Sequence, residues 1–247
     1  MESNNPYYLY GMHPVLEAVR QGRRFEKVIL KKGLEGEQFR TLMDELSARD
    51  IPYQFVPGEK MNRLVKGAHQ GVVAYLAQIE YVPFEEMVEG ALSRKANPVF
   101  LVLDGVSDVR NLGAIARSAE CAGVDGIVVP AKGSAAINAD AVKTSAGALL
   151  RVPTARVANL RTALYYFRDS EFQIVAASEK AEDEIYDINF KKATVIVMGS
   201  EGSGISQPVL SLCTAGARIP IVGETGSLNV SVAAAVVLFE VVRQRKK

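Results

Sequence analysis

Residues 99–129, VFLVLDGVSDVRNLGAIARSAECAGVDGIVV, decide the fold of the larger part of this chain. Two continuous apolar runs, Val99–Leu103 and Gly126–Val129, enclose a stretch in which apolar residues recur at helical spacing. Continuous apolar runs are typical of parallel strands that are buried on both faces of a sheet. Similar runs at residues 172–177 and 193–198 extend the pattern. The sequence therefore predicts an α/β fold, with a parallel sheet in this region.

The preceding part of the chain shows the same alternation on a smaller scale. Helical spacing and strand-forming runs follow each other in three cycles, in the order helix from His13-Pro14, strand 25–30, helix 35–49, strand 53–56, helix 61–65 and strand 70–76. This pattern predicts a small α/β domain over residues 1–80.

A break in the pattern separates the two parts. Val82-Pro83 ends the last strand, a short helix is predicted at 84–93, and Lys95–Pro98 interrupts the chain again. We therefore expect a linker over residues 81–96 and a second domain over residues 97–247.

The composition is that of a globular chain. Of the 247 residues, 48% are apolar and 23% are charged, which is enough to form a core in one large domain or two small ones. The formal net charge is +1, so charge alone does not indicate a nucleic-acid partner. The first residues lack a basic region followed by an apolar stretch, and no window approaches the roughly 18 apolar residues of a membrane span. We expect a cytoplasmic protein without a membrane partner.

Cysteine and histidine are too sparse to predict a metal site. Cys121 and Cys213 have no second Cys or His at metal-ligand spacing, and His13 and His69 stand alone as well. We expect buried thiols and no metal cofactor.

The first candidate motif, Asn111-Leu-Gly-Ala-Ile-Ala-Arg117, opens a predicted helix directly after a strand. Ligands of α/β sheets usually bind beyond the carboxyl ends of the strands. Helix capping is a sufficient structural reason for Asn111. Arg117 is harder to explain, because a lone guanidinium on a helix of small residues must either reach solvent or meet an anion.

Two further motifs also follow strands. The loop Gly199-Ser-Glu201-Gly-Ser-Gly204 has neither the Walker nor the dinucleotide-binding spacing; a strand-to-helix turn explains its glycines but not Glu201. Residues 219–231 form a turn-rich loop before an apolar helix, and Ser227 or Asn229 is well placed to cap that helix. Taken singly, none of the three motifs identifies a reaction.

Together the three motifs resemble those of the SpoU (TrmH-like) RNA 2′-O-ribose methyltransferases. Asn-Leu-Gly-Ala-Ile-Ala-Arg, Val-Met-Gly-Ser-Glu-Gly-Ser-Gly and Ser-Leu-Asn-Val-Ser occur in the family's order, over roughly residues 97–247. The segments Tyr10–Val19 and His69–Val72 resemble the small substrate-binding domain that precedes the catalytic domain in many members. The closest likeness is to enzymes that methylate a guanosine of large-subunit (23S) ribosomal RNA. One departure is Val109, which stands where the family usually has proline.

The resemblance implies a SPOUT-type α/β catalytic domain with a trefoil knot, preceded by a ribosomal-protein-like (L30e-like) α/β domain. It implies S-adenosylmethionine as methyl donor and no metal. By motif position, Gly199, Ile219 and Leu228 would contact the donor mainly through backbone groups. Ser227 would line the same pocket and, with Asn229, join it to the nucleotide.

The same carry-over assigns the catalytic residues. Arg117 would activate the ribose hydroxyl, either by stabilising negative charge on its oxygen or as a base. Asn111 would hold Arg117 or the phosphate next to the target ribose, and Glu201 would orient Arg117 through an ion pair. Asn229 would complete the site.

The resemblance also implies partners. Family members generally act as homodimers, and the predicted closing helix Val230–Val242 has apolar surface that either a second copy or the chain's own core could cover. The best candidate RNA-phosphate patch in the small domain consists of Arg20, Arg23, Arg24, Lys27, Lys31 and Lys32. The charged tail 243–247 is expected to be solvated, with RNA contact as the alternative.

Three alternatives remain open at this point. The same chemistry could act on transfer RNA or on a different ribosomal nucleotide, because the motifs encode ribose chemistry and say little about the base. A non-catalytic RNA-binding module and an oxidoreductase with a nucleotide cofactor are the alternatives from other classes. No dinucleotide fingerprint follows Leu103 or Met198, which argues against the oxidoreductase.

Overall fold

A computed structural model describes residues 8–65 and 67–246 of the chain. Residues 1–7, Lys66 and Lys247, which include parts of the predicted first domain and of the charged tail, lie outside the described residues. Contacts divide the chain into two compact units. The first runs to Gln78 and includes Ala136–Ala139; the second comprises Ile79–Ala135 and the chain from Asp140 onward.

The first unit is a four-stranded sheet in the order β1-β4-β2-β3 with three helices. Its elements are β1 Tyr8–Tyr10, α1 Met12–Arg20, β2 Phe25–Lys31, α2 Glu37–Ala48, β3 Tyr53–Val56, α3 Gly58–Leu64 and β4 Val72–Leu76. β2 runs parallel to β3 and antiparallel to β4, which also pairs antiparallel with β1. Strand β1 did not emerge from the sequence pattern because it is only three residues long and half-buried.

The alternation of side chains along β2 explains how the helices cover this sheet. Val28 and Leu30 face α1 and α2, whereas Ile29 faces the opposite side with Met61 of α3. The two segments that carried the resemblance in this part of the chain also meet. The backbone N–H of Met12 donates to the Gln70 side-chain oxygen at 3.0 Å, so the loop before β4 holds the start of α1.

The second unit is built on a six-stranded sheet in the order β10-β8-β9-β5-β6-β7, and all its pairings are parallel. The strands are β5 Val99–Leu103, β6 Gly126–Pro130, β7 Thr154–Val157, β8 Gln173–Ala177, β9 Thr194–Met198 and β10 Ala215–Ala217. The helices are α4 Phe84–Arg94, α5 Val109–Cys121, α6 Ala139–Thr144, α7 Leu160–Asp169, α8 Gln207–Leu210 and α9 Val230–Arg245. The predicted α/β fold with a parallel sheet is confirmed.

Helix α4 lies inside the segment that the sequence pattern indicated as a linker. Its apolar residues Phe84, Met87, Val88 and Ala91 recur at helical spacing and are buried in the core of the second unit. The ring of Phe84 packs edge-on against that of Phe167 of α7, with centroids 5.1 Å apart. The contacts therefore place the unit boundary at Gln78, before residues 81–96 rather than within them.

The last turns of α9 are fastened to the loops that precede β5 and β9. The Arg245 guanidinium donates to the carbonyl oxygens of Phe190 at 2.7 Å, Asn97 at 2.5 Å and Lys192 at 2.5 Å. Gln244 donates to Ile188 O and accepts from Phe190 N, both at 2.9 Å. We call Gln244, Arg245 and these backbone groups the carbonyl clamp.

The clamp corrects the expectation of a solvated tail for Gln244 and Arg245, whereas Arg243 and Lys246 are exposed as expected. Arg243 forms two hydrogen bonds to Glu240, at 2.7 and 2.8 Å, and these bonds hold the pKa of that buried carboxyl below its usual range. Two of the tail's arginines are thus engaged within the protein because carbonyl and carboxylate groups lie within their reach. Among the helices formed by the described residues, none has the length and apolarity needed to cross a membrane.

The clamp should contribute to stability. Replacing Arg245 by Met removes charged donors from three carbonyls, and we expect the free energy of unfolding to fall by about 1.5–3 kcal/mol. Lys246→Met is the matched control, because Lys246 is exposed and should change stability little. Urea unfolding measures both, and equal values for the two variants would show that the clamp contributes nothing.

Gly113 sets how closely α5 can pack. A Cβ at this position would lie 2.7 Å from Thr144 Cβ and 2.9 Å from Ala141 O, so Gly113→Ala should destabilise the protein by about 1–3 kcal/mol. Gly90 in α4 has only the end of the Arg94 side chain nearby, at 3.4 Å. Gly90→Ala should therefore stabilise by about 0.5–1 kcal/mol. Shifts of the same sign in thermal unfolding would contradict this assignment.

Candidate active site

The three motifs converge beyond the carboxyl ends of two neighbouring strands. β5 and β9 pair in parallel with Leu103 opposite Met198, so the two strands end level with each other. The chain leaving β5 leads into α5 and Asn111, and the chain leaving β9 enters the loop with Glu201. The third motif brings Asn229, at the start of α9, to the same place.

Asn111, Glu201 and Asn229 form one hydrogen-bonded group, which we call the Asn–Glu–Asn cluster. Glu201 Oε1 accepts from Asn111 Nδ2 at 2.9 Å and also from Asn229 Nδ2. Asn229 Nδ2 donates in addition to Asn111 Oδ1, at 3.1 Å. The second oxygen, Oε2, has no hydrogen-bond partner in the described part of the chain. One carboxylate oxygen thus joins all three motifs and leaves the other available.

Helix caps hold two members of this cluster in place. Asp108 Oδ1 accepts the backbone N–H groups of Arg110 and Asn111, both at 2.8 Å, so Asp108 caps α5. Asn111 is therefore not the cap, and its side chain is free to enter the cluster. Asn229 Oδ1 accepts from Ser231 N at 2.9 Å and so caps α9, while its Nδ2 serves the cluster. The cap of α5 is formed although Val109 replaces the family's usual proline.

The loop after β9 requires glycine at position 199. A Cβ there would lie 2.1 Å from Gly204 C and 2.3 Å from Ile205 N. The loop is closed by two backbone hydrogen bonds between Ser200 and Gly204, both at 3.0 Å. Packing of the loop on itself is therefore sufficient reason for Gly199, apart from any ligand.

The predicted donor-binding residues line two adjoining cavities. One, of about 420 Å³, is lined by Ile219, Ser227 and Leu228. The other, of about 620 Å³, is lined by Gly199, Glu201 and again Ser227 and Leu228. The structure therefore brings all four residues to one place, with apolar Leu228 39% exposed at their junction.

A third cavity, of about 880 Å³, adjoins the cluster. Its lining includes Asp108, Asn111, Gly133 and Glu201. Glu201 lines this cavity and also the 620 Å³ cavity, so one member of the Asn–Glu–Asn cluster borders both. This position allows molecules bound in the two cavities to meet at the Glu201 carboxylate.

Arg117 does not join the cluster. It is exposed and makes no ion pair or hydrogen bond with any described residue, so neither the expected ion pair with Glu201 nor contact with Asn111 is formed. Helix geometry explains this, because six residues after Asn111 a side chain lies about 9 Å along the helix and about 120° around it. Of the predicted site residues, Arg117 is the one that the structure leaves apart.

Sequence reasoning missed the residues that support the site. Asp108 stands three positions before Asn111, and an acidic residue ahead of a helix is a recognisable capping signal. Asp104 Oδ2 accepts from Ser206 N at 2.7 Å and ties the loop after β9 to the end of β5. No local signal indicates that pair, because the contact spans 102 positions.

The cysteines differ from expectation. Cys121 is exposed, so the expectation of a buried thiol was wrong for this residue, which ends α5 on its solvent side. Cys213 is partly buried, and burial together with the charge of Asp104 raises the pKa of its thiol to about 12. No cluster of three or more His, Cys, Asp or Glu side chains suited to a metal ion occurs within residues 8–65 and 67–246.

Each of the two units matches a known protein family. The family described as the SpoU rRNA methylase family matches residues 98–239, and a second, described as RNA 2′-O ribose methyltransferase substrate binding, matches residues 8–82. A putative TrmH family tRNA/rRNA methyltransferase of Staphylococcus epidermidis is 33% identical over 237 residues, or 96% of this chain and 95% of the relative.

Solved structures of related proteins share the fold. An AdoMet-bound rRNA methyltransferase from Sinorhizobium meliloti is 25% identical, with a TM-score of 0.63 over 98% of this chain and 88% of that one. A putative RNA methyltransferase of the TrmH family from Porphyromonas gingivalis is 26% identical, with a TM-score of 0.58 over 96% and 90%. The resemblance carried by the three motifs is confirmed, and this chain belongs to the SpoU rRNA methylase family.

Proposed function

We propose that this protein transfers a methyl group from S-adenosylmethionine to a ribose 2′-hydroxyl of RNA, at a guanosine of 23S ribosomal RNA. Family membership supports RNA methyl transfer. The observation that carries the proposal is the position of Glu201 in the Asn–Glu–Asn cluster, since this residue lines both the 620 Å³ cavity of the donor-binding motifs and the cavity beside α5.

The donor side fits S-adenosylmethionine, which supplies a reactive methyl group on a sulfonium when it is bound. Ile219 and Leu228 offer apolar surface to an adenine, and Ser227 offers a hydroxyl. The glycine-rich loop at Gly199 brings backbone groups close to the 620 Å³ cavity. The Sinorhizobium meliloti neighbour is described as AdoMet-bound. We propose the trefoil knot of the family for this part of the chain, with the donor against it.

The acceptor side is assigned to the cavity beside α5. Asn111 and Glu201 line it, and the free Oε2 of Glu201 can accept a hydrogen bond from a ribose hydroxyl. With the donor bound, these groups would hold the ribose oxygen close to the donor's methyl group, and such positioning supplies much of the acceleration of a group transfer. The cluster therefore positions the nucleophile, and no metal is needed.

Arg117 is proposed to act on the RNA rather than within the cluster. Its guanidinium has no partner in the described part of the chain and is free to meet a phosphate of the bound RNA. We also propose a homodimer, because Val232 and Phe239 of α9 remain 48% and 50% exposed. As its substrate is ribosomal, we place the protein in the cytoplasm.

Transfer RNA or a different ribosomal nucleotide is the alternative substrate. The Staphylococcus epidermidis relative is described as a tRNA/rRNA methyltransferase. In addition, we assign the cluster to the ribose of the nucleotide, so it does not select a base. A non-catalytic RNA-binding module is disfavoured, because Asn111, Glu201 and Asn229 are joined although they come from three distant segments.

The direct test is methyl transfer from labelled S-adenosylmethionine to 23S rRNA that lacks its natural modifications. Nuclease mapping locates the label, since a 2′-O-methyl group blocks cleavage at its own linkage. A single labelled guanosine ribose is the expected result. Label on transfer RNA or at another nucleotide would favour the alternative substrate, and RNA binding without any transfer would favour the non-catalytic module.

Substitution of Arg117 tests its role. Arg117→Ala should lower kcat by about 100-fold or more while the Kd for S-adenosylmethionine changes less than about twofold, because the residue is assigned to the acceptor. Arg161→Ala, at an exposed position of α7, is the matched control and should leave both values unchanged. Weak donor binding with normal kcat in the Arg117 variant would overturn the assignment.

A further inference from the structure

An exposed aromatic pair lies on the edge of the first unit. Tyr53 and Phe55 alternate along β3, so both rings face the same side of the sheet, and each is 40% exposed. Their centroids are 5.8 Å apart at an interplanar angle of 82°. Phe39 of α2 packs edge-on behind Phe55 at 6.4 Å. We call Tyr53 and Phe55, with Phe39 behind them, the aromatic edge.

Packing does not account for this exposure. Tyr53 and Phe55 pair with Val28 and Leu30 of β2, which are both fully buried on the same face. β3 is the outermost strand on its side of the sheet, so no further strand flanks the two rings. On the opposite face of the strand, Val56 is 2% exposed. The strand thus places its small apolar residue in a core and its two large rings at the surface.

Positive charge without partners flanks the rings. Lys32 directly follows β2, and its backbone N–H donates to Val56 O, so it lies beside the end of β3. Arg40 directly follows Phe39 on α2. Both side chains are exposed and make no ion pair with any described residue. Two cations next to two exposed rings are suited to a chain of phosphates that carries flat bases.

The six basic residues predicted as one patch are spread along β2, with one group at each end. Arg20, Arg23 and Arg24 lie near its start, Lys27 lies within the strand, and Lys31 and Lys32 lie at its end. A seven-residue strand spans about 20 Å, so a single short contact cannot use both groups. The group at the end of β2 is the one that adjoins the aromatic edge.

We propose that the aromatic edge is a stacking surface for unpaired nucleobases of the RNA substrate, with Lys32 and Arg40 on the adjacent phosphates. The proposal rests on the proposed function for RNA as the ligand, and the match of residues 8–82 to a substrate-binding family supports that ligand. Aromatic side chains bind bases of single-stranded RNA by stacking, whereas paired bases hide their faces in a duplex. The surface therefore selects an unpaired segment of the RNA.

The test uses the full-length protein and the double variant Tyr53→Leu/Phe55→Leu, which keeps apolar side chains and removes the rings. The probes are a fluorescent RNA hairpin with an unpaired loop and a fully paired duplex of equal length. We expect hairpin affinity to fall about tenfold or more, and duplex affinity to fall less than twofold. Tyr186→Leu, which removes a ring 54% exposed in the second unit, is the matched control and should change neither.

The outcomes separate this inference from the proposed function. With 23S rRNA as substrate, the double variant should raise KM for RNA and keep kcat, and Tyr53→Trp/Phe55→Trp should restore the parent KM because indole also stacks. Equal loss of hairpin and duplex binding, or no rescue by tryptophan, would overturn the stacking surface. Unchanged hairpin binding with normal methyl transfer would overturn it and leave the enzyme assignment intact. No methyl transfer by the parent, together with ring-dependent hairpin binding, would do the reverse.

Discussion

A single carboxylate oxygen, Oε1 of Glu201, accepts hydrogen bonds from the amides of both Asn111 and Asn229. Each amide belongs to the first turn of a helix, and the carboxylate belongs to the loop after β9. Movement of any one element would break bonds to the other two. The geometry of the cluster therefore depends on all three elements keeping their positions. Contacts elsewhere in the second unit hold each of them in place.

The contacts that hold these elements lie at both ends of strands β5 and β9. At the carboxyl ends of the strands, Asp108 fixes the start of α5 and Asp104 ties the loop after β9 to the end of β5. At the other ends, Arg245 holds the carbonyls of Asn97 and Lys192, just before β5 and β9 begin. Helix α9 is thus attached to the same two strands at its start and at its end, about 24 Å apart.

Local patterns predicted much of this arrangement. Continuous apolar runs identified the parallel strands, and the order of three short motifs identified the site, because both signals lie within a few consecutive residues. The helix over 84–93 was also predicted, but whether it joins a core depends on partners such as Phe167, which lie far along the chain. Local patterns also could not assign the helix caps. Asn111, Ser227 and Asn229 were each suited to capping, and only the structure shows that Asp108 takes this role in α5.

Arg117 and the basic patch show what helical and strand geometry add to a list of residues. A motif places Asn111 and Arg117 six positions apart, but the turn of the helix separates their side chains. Six basic residues close in sequence are likewise divided by the length of β2. In both cases, proximity in the sequence predicted that the residues share a site. The geometry of helix α5 and of strand β2 instead separates them.

The three members of the cluster are separated by 90, 28 and 118 positions along the chain. Contacts of this span form late in folding, since long loops must close before the contact gains anything in return. The non-sequential strand order, with β9 beside β5 and β8, adds to this requirement. No short fragment of the chain can hold the cluster, so the polar groups assigned to the acceptor exist together only in the completed fold.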